Sequence, residues 1–406
     1  MLEGLKGERG LRLGKIIAAL PAGMLLLAPP ARADLASLTL APPSVALGDA
    51  ELRLDALAAG ALIAPDNNDA RQDSTNASGV VKLIPQLKRD YDSGLSLALD
   101  ATLTASDPLS RGRYDGDAIE KLYGEARTGL GRVDIGLVDG AGYLLRLTGP
   151  KTDDQIALED SQTSLFRDPV TYRAVTDMFA LRTSVGASSN YAKLAYVSPA
   201  LFGAQLALSF TPSEGKQLPF MNAGPNIAGR QADIWEMGLR YSDTFGPVNL
   251  SGYAAAAEGR AEHKLPGQEG VSDLGAGLRA DYPLDDDVTL SLGGSYRNSN
   301  AYGFDIDRSY DGAATRALHV SAGLTDNAWS ASLEYGNGVA GSAAGLPRLG
   351  LNGMEASLGY ALNAGMQLSA GWQHLNYARD SGVFFNGTPR LSLDAVFLDF
   401  TFHTTN

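Results

Sequence analysis

The sequence predicts an all-β fold, a 16-stranded antiparallel transmembrane β-barrel, and three observations predict it. From about residue 50 onward apolar residues recur with period two in blocks of roughly ten, the period of a strand whose two faces differ. Tight turns and long polar segments alternate between the blocks, the asymmetry of a barrel whose two ends meet different compartments. Beyond residue 33 no apolar run approaches the length of a membrane helix, so any crossing of a bilayer must be made by strands.

The start of the chain reads as an address. Lys6, Arg9, Arg12 and Lys15 precede the apolar stretch Ile16 to Ala28, and Ala31-Arg32-Ala33 is a small-x-small cleavage site, so residues 1–33 are expected to be an export signal. Pro21 and Gly23 interrupt the stretch, which is too short to span a bilayer as a helix. Residues 34–49 are an N-terminal extension that the sequence leaves open between strand, plug and free tail, and the barrel is assigned to 50–406.

Sixteen blocks have strand character: 50–64, 77–91, 94–105, 118–129, 131–139, 190–199, 204–212, 232–243, 247–257, 272–283, 287–297, 314–324, 328–337, 352–362, 366–377 and 391–402. Their alternation is plain in the second half. Trp235, Met237, Leu239 and Tyr241 share one face, against Glu236, Gly238 and Arg240 on the other. Trp329, Ala331, Leu333 and Tyr335 likewise oppose Ser330, Ser332 and Glu334. Tight connections such as Leu201-Phe202-Gly203, Thr244-Phe245-Gly246 and Asn363-Ala364-Gly365 carry residues that tolerate turn dihedrals. Tyr196, Tyr241, Tyr282, Tyr335 and Tyr360 fall a few residues before a turn or loop, as an interfacial girdle requires.

A soluble β protein also alternates, so the polarity of the faces decides. A charge on a lipid-facing position costs about 2–4 kcal/mol at mid-depth and little near the rim. In the second half, only Arg316 and Asp394 share the apolar parity, both at a strand's beginning. Without residues 1–33, which hold 5 of the 33 Lys and Arg and 2 of the 46 Asp and Glu, the balance is 28 basic against 44 acidic, a net charge of −16. Nucleic-acid binding through phosphates is therefore not expected. The absence of cysteine excludes disulfides, thiolate metal sites and cysteine nucleophiles.

Three stretches also resemble the general porins of Gram-negative bacteria, trimeric 16-stranded outer-membrane channels. Gly129-Leu-Gly-Arg-Val-Asp-Ile-Gly-Leu-Val-Asp-Gly-Ala141 is similar to the family's strand before an inward-folded third loop. Asn190 to Pro212 resembles the hairpin after that loop and is the most specific match; Glu236 to Gly252 looks like the next hairpin. The family usually finishes on an aromatic residue, whereas here His403-Thr-Thr-Asn406 follows Phe402.

The resemblance implies that 139–189 is the long third loop, folded into the lumen as a constriction. Its candidate acidic residues are Asp153, Asp154, Glu159 and Asp160, and the wall cations expected to face them are Arg53, Lys82, Lys88, Arg127 and Arg132. Opposed charges across a narrow, low-dielectric tube orient dipolar solutes and set ion preference. The implied protein is a homotrimer in the outer membrane, in contact with lipid and lipopolysaccharide, passing small hydrophilic solutes with a lean toward cations and needing no cofactor. A substrate-specific channel for sugars or organic anions is the alternative, with Tyr123, Tyr143 and Tyr172 as candidate stacking residues, and a soluble or surface β-rich binding protein is a third.

Enzymatic chemistry finds no support in the sequence. The four histidines, His263, His319, His374 and His403, sit in no Ser or Asp constellation, and His319 is expected on the wet face with His374 on the lipid side near a rim. Gly136, Gly140 and Gly142, and the pair Gly275 and Gly277, mimic phosphate-loop fragments without a strand-to-helix context, and read as turn and lumen glycines. No cluster has transition-metal spacing.

Overall fold

The computed structural model describes residues 41–67, 76–106, 119–153, 156–159, 181–188, 190–214, 230–262, 264, 266, 268–300, 315–340, 348–380 and 387–404. In chain order the strands are β1 (Ser44–Leu47), β2 (Ala50–Asn67), β3 (Asn76–Asp90), β4 (Ser96–Ser106), β5 (Ile119–Thr128) and β6 (Gly131–Leu137). A single helical turn, α1 (Ala141–Leu144), lies in the connection to β7 (Ala192–Val197). Then follow β8 (Ala204–Ser213), β9 (Gln231–Phe245), β10 (Val248–Ala261), β11 (Ser272–Pro283), β12 (Val288–Ser299), β13 (Thr315–Asp326), β14 (Trp329–Ala340), β15 (Leu349–Asn363), β16 (Met366–Arg379) and β17 (Arg390–His403).

From β2 to β17 every strand pairs antiparallel with its neighbour in sequence, and β17 pairs with β2 from Leu393↔Asn67 to His403↔Leu57. Sixteen strands thus close into a barrel, which removes the open edges that invite aggregation. All sixteen blocks read from the sequence are present, with ends shifted by a few residues. β1 pairs with the part of β2 that β17 does not reach, Ser44↔Arg53 to Leu47↔Ala50, and Leu54 N–H donates to Pro43 O at 3.0 Å. Residues 44–47, left open by the sequence, are therefore a strand that covers the remaining edge of β2.

The short turns need left-handed backbone. Gly246, with φ +61°, links β9 to β10, and Asn327, with φ +51°, links β13 to β14; glycine and asparagine tolerate this region. Register shifts interrupt the pleat near strand ends at β9–β10 and β15–β16, and also at β4–β5. There the register shifts between Thr102 and Leu103, and both Glu120 and Lys121 reach ion-pair partners.

The two faces are inverted relative to a water-soluble barrel. Leu278 is 61% exposed and Leu333 64%, and Leu239, Leu292 and Met354 are exposed on the same parity of their strands. On the other parity Glu236, Asp273, Ser295, Glu334, Glu355 and Gln373 are buried. A sheet with its leucines outward and its carboxylates covered is stable where hydrocarbon meets the apolar face. The polar side chains on the other face then need partners, and a large part of those come from the connection between β6 and β7.

Candidate functional site

The described parts of the β6–β7 connection, residues 138–153, 156–159, 181–188, 190 and 191, lie along the polar face of the barrel and can be traced strand by strand. A single helical turn is too short to form on intrinsic propensity. α1 is held from outside: Ala141 N–H donates to Ser209 Oγ at 2.9 Å and Gly142 N–H to Glu236 Oε2 at 3.1 Å. Glu236, only 2% exposed, also accepts from Ser188 N–H at 2.8 Å and Ser188 Oγ at 2.5 Å, so one carboxylate holds both ends of the connection. Tyr253 Oη donates to Gly142 O at 2.6 Å.

Beyond α1 the backbone runs close to the sheet because strand glycines leave room for it. A Cβ on Gly277 would lie 2.6 Å from Leu147 O, one on Gly293 2.6 Å from Gly149 Cα, and one on Gly323 2.8 Å from Pro150 Cβ. These glycines come from β11, β12 and β13, so successive strands present a smooth strip to the same segment. The contacts continue onto β15 and β16. Gln367 Nε2 donates to Thr152 O at 2.5 Å and Gln373 Nε2 to Ile156 O at 2.8 Å. Ile156, Leu158 and Leu181 pack with Ile63, Leu351, Leu375 and Phe397, while Ala141, Leu145 and Val185 pack with Ile234 and Tyr253. Thr183 Oγ1 meets Ser295 Oγ at 2.6 Å on the return limb. The seat of the connection thus runs from β7 to β17 and onto β2.

Among the acidic candidates, Asp153 is 3% exposed and lies with Glu334 and Glu355, one oxygen of each within 4.8 Å of the others. Burial, reinforced by the charges of Glu334 and Asp399, pushes Asp153 up to about 7. Glu159 is buried too, accepting from Thr183 N–H at 3.1 Å and Thr183 Oγ1 at 3.0 Å, which ties the two limbs of the connection together. Asp154 and Asp160 lie outside the described residues. Asp139 carries an ion pair with Lys121 at 2.6 Å; burial alone would raise it, but the Lys121 ammonium and, behind it, Lys193 hold it below the usual carboxylate range.

The cationic candidates sit on β2, β3, β5 and β6, and each has a carboxylate on the same wall. Arg53 pairs with Asp55 at 2.7 Å, Lys82 with Glu120 at 2.8 Å and Lys88 with Asp90 at 3.0 Å. Arg127 pairs with Glu125 at 3.0 Å, and Arg132 with Asp134 at 3.1 Å and Glu125 at 3.7 Å. None of these pairs joins a wall cation to a carboxylate of the connection. Tyr143 lies under two guanidinium groups, Arg146 at 3.6 Å and Arg182 at 4.8 Å from its ring centre, and Tyr172 is outside the described residues.

The histidines fall on the faces that parity assigns. His319 is buried on the polar face with Nε2 3.0 Å from Glu334 Oε2. His374 shares the parity of exposed Met354, and its Nδ1 lies 2.9 Å from Asp394 Oδ1, which also accepts from Trp372 Nε1 at 3.1 Å. This network accounts for an acid on the apolar parity. Sequence reasoning did not single out Glu236, Glu334 or Glu355. Parity places all three on the wet face, but nothing local to each strand shows that a connection from elsewhere in the chain descends onto them.

Comparison with known proteins bears on what such a barrel is. The family model described as Gram-negative porin matches residues 26–381. Among curated proteins none matches the chain. Solved structures share the fold at low identity. The anion-selective porin from Comamonas acidovorans aligns with TM-score 0.51 and 11% identity over 87% of this chain and 99% of that one. OmpT, an outer membrane protein of Vibrio cholerae in its in-vitro folded trimer form, gives 0.52 and 9% over 88% and 100%. A double mutant of Rh. blastica porin gives 0.51 and 13% over 87% and 99%. With a closed 16-stranded barrel, leucines outward and a family match over most of its length, the chain belongs to the Gram-negative porins and is an outer-membrane channel protein.

Proposed function

We propose that the channel is a passive diffusion pore for small hydrophilic solutes and ions, weakly selective for cations, in which the polar face lines the lumen and the β6–β7 connection narrows it. One observation carries the reading. The seat of the connection runs along β7–β17 and the adjoining part of β2, while the cations Lys82, Lys88, Arg127 and Arg132 stand on β3, β5 and β6, strands that its apolar packing does not reach. The passage left over therefore runs between the connection and a wall bearing these cations, with Arg53 at its β2 border. Asp153 and Glu159 are buried against protein, so the acidic side of a transverse field falls to Asp154 and Asp160. The net charge of −16 favours cations overall.

Residues 1–33 are removed on export, and the mature chain assembles as a homotrimer surrounded by lipid and lipopolysaccharide. The likeness to an anion-selective structure is at 11% identity and speaks for the fold alone.

Conductance of the full chain in a planar bilayer under a salt gradient tests the reading. Ohmic steps with a reversal potential of cation sign are expected, reduced by Asp154→Asn with Asp160→Asn and increased by Lys82→Gln with Arg132→Gln. Small saturable currents blocked by a single sugar or organic anion would replace the diffusion pore by a specific channel. An anion-sign reversal potential would overturn the selectivity.

A further inference from the structure

The buried carboxylates beneath the connection are arranged in a way that the channel reading does not use. Glu334 and Glu355 stand directly opposite one another on β14 and β15, a juxtaposition that like charges disfavour, and Asp153 comes down onto them from the connection. Each glutamate has one oxygen held and one open. Glu334 Oε2 lies 3.0 Å from His319 Nε2, and Glu355 Oε2 accepts from Gln373 Nε2 at 2.8 Å. Glu334 Oε1, Glu355 Oε1 and both oxygens of Asp153 are met by no donor group of the protein, and Asp153 and Glu355 lie within hydrogen-bond reach of each other. A neutral side chain beside the cluster is also left incomplete: Gln373 is fully buried, its amide nitrogen donates to Glu355 Oε2, and its oxygen Oε1 has no donor. Leaving so many acceptors dry and unmatched is unfavourable unless something positive meets them.

We propose that Asp153, Glu334 and Glu355 form a binding site for a hard divalent cation, calcium above all, that fastens the β6–β7 connection to β14 and β15. Oxygen-only donors select calcium, magnesium or manganese over zinc or copper. Calcium–oxygen distances are about 2.3–2.6 Å, so two ligands of one ion lie at most about 5 Å apart, and the 4.8 Å span of the three oxygens fits. Magnesium keeps several of its waters, for which a buried site under packed chain offers less room. His319 and Gln373 fix the orientation of the two glutamates from behind, as outer-shell partners of ligating carboxylates do. The site rests on these contacts and not on what the channel conducts.

The rival occupant is a proton shared between Asp153 and Glu355, and saturable calcium binding that the glutamate substitutions weaken separates the two. Among the described residues, His319, Asp399 and Lys151 are ionisable groups beside the cluster.

The test is calorimetric titration of calcium chloride into the full chain, folded in lipopolysaccharide-free detergent and stripped with chelator. One saturable site per chain is expected. Glu355→Gln and Glu334→Gln should each weaken it by about 10-fold or more, and Asp281→Asn, on a residue paired with Arg279 outside the cluster, should leave it unchanged. Melting of the wild-type barrel with and without calcium is the second measurement, and a rise in melting temperature that Glu355→Gln abolishes supports the site. No saturable binding at millimolar calcium, binding that survives both glutamate substitutions, or a wild-type melting temperature indifferent to calcium would overturn it.

Discussion

Replacing Glu236 by alanine should free the root of the β6–β7 connection. The carboxylate is 2% exposed and accepts from Gly142 N–H at 3.1 Å, Ser188 N–H at 2.8 Å and Ser188 Oγ at 2.5 Å. The serine hydroxyl can rotate toward another acceptor, whereas the two backbone donors are fixed by the chain. An orphaned buried donor costs about 1–3 kcal/mol, so the two together give roughly 2–6 kcal/mol against docking of the connection. Gly140→Ala should act on the same contact from the other side, because its Cβ would lie 2.0 Å from Glu236 Oε2. The assay is single-channel recording together with limited proteolysis of the connection. Both variants should show noisier, altered conductance and cleavage between residues 138 and 191 while the barrel itself stays folded. Conductance and protease resistance equal to the wild type in Glu236→Ala would refute the anchoring argument.

Three further outcomes follow from the same geometry. Gly293→Ala sets a Cβ 2.6 Å from Gly149 Cα, so overpacking should lower the stability of the docked connection by about 1–3 kcal/mol, measurable as a lower melting temperature, while Gly350→Ala, whose Cβ meets nothing within 4 Å, should not. Asp153 has a folded value of about 7 against an unfolded value of about 4. The native state therefore binds more protons in that window, and in calcium-free buffer stability should fall as pH rises from about 4 to 7 and level off above; Asp153→Asn should flatten the profile in pH-dependent melting. Leu333→Lys, on the exposed parity of β14, should impair folding into bilayers by about 2–4 kcal/mol, whereas a lysine at Lys82, on the other parity of β3, is native.

The barrel was legible because its information is local. A strand's period and the turn residues at its ends are written within a dozen residues, and the closure of β17 on β2 follows once sixteen antiparallel strands are counted. The faces were legible for the same reason: Leu333 and Glu334 differ by one position and by the whole thickness of the sheet. The site was less so, because its contacts join distant parts of the chain. Loop carboxylates were expected toward the lumen, yet Asp153 turns into the wall and Glu159 bonds Thr183, since parity says nothing about a chain without regular structure. The glycine strip under the connection was present in the sequence as Gly277, Gly293 and Gly323 on the polar parity. Its meaning as a seat appears only when residues 147–150 are laid on it.

The claim on which everything else rests is that the polar parity of the strands meets water and the apolar parity meets lipid. The chain has no cysteine, so single cysteines placed along β3 report on this without interference. In reconstituted channels, a charged, membrane-impermeant thiol reagent should react with Lys82→Cys and Gln86→Cys and step the conductance, and should leave Val81→Cys and Leu83→Cys untouched. Reaction at positions 81 and 83 with silence at 82 and 86, or reaction at all four alike, would contradict the account.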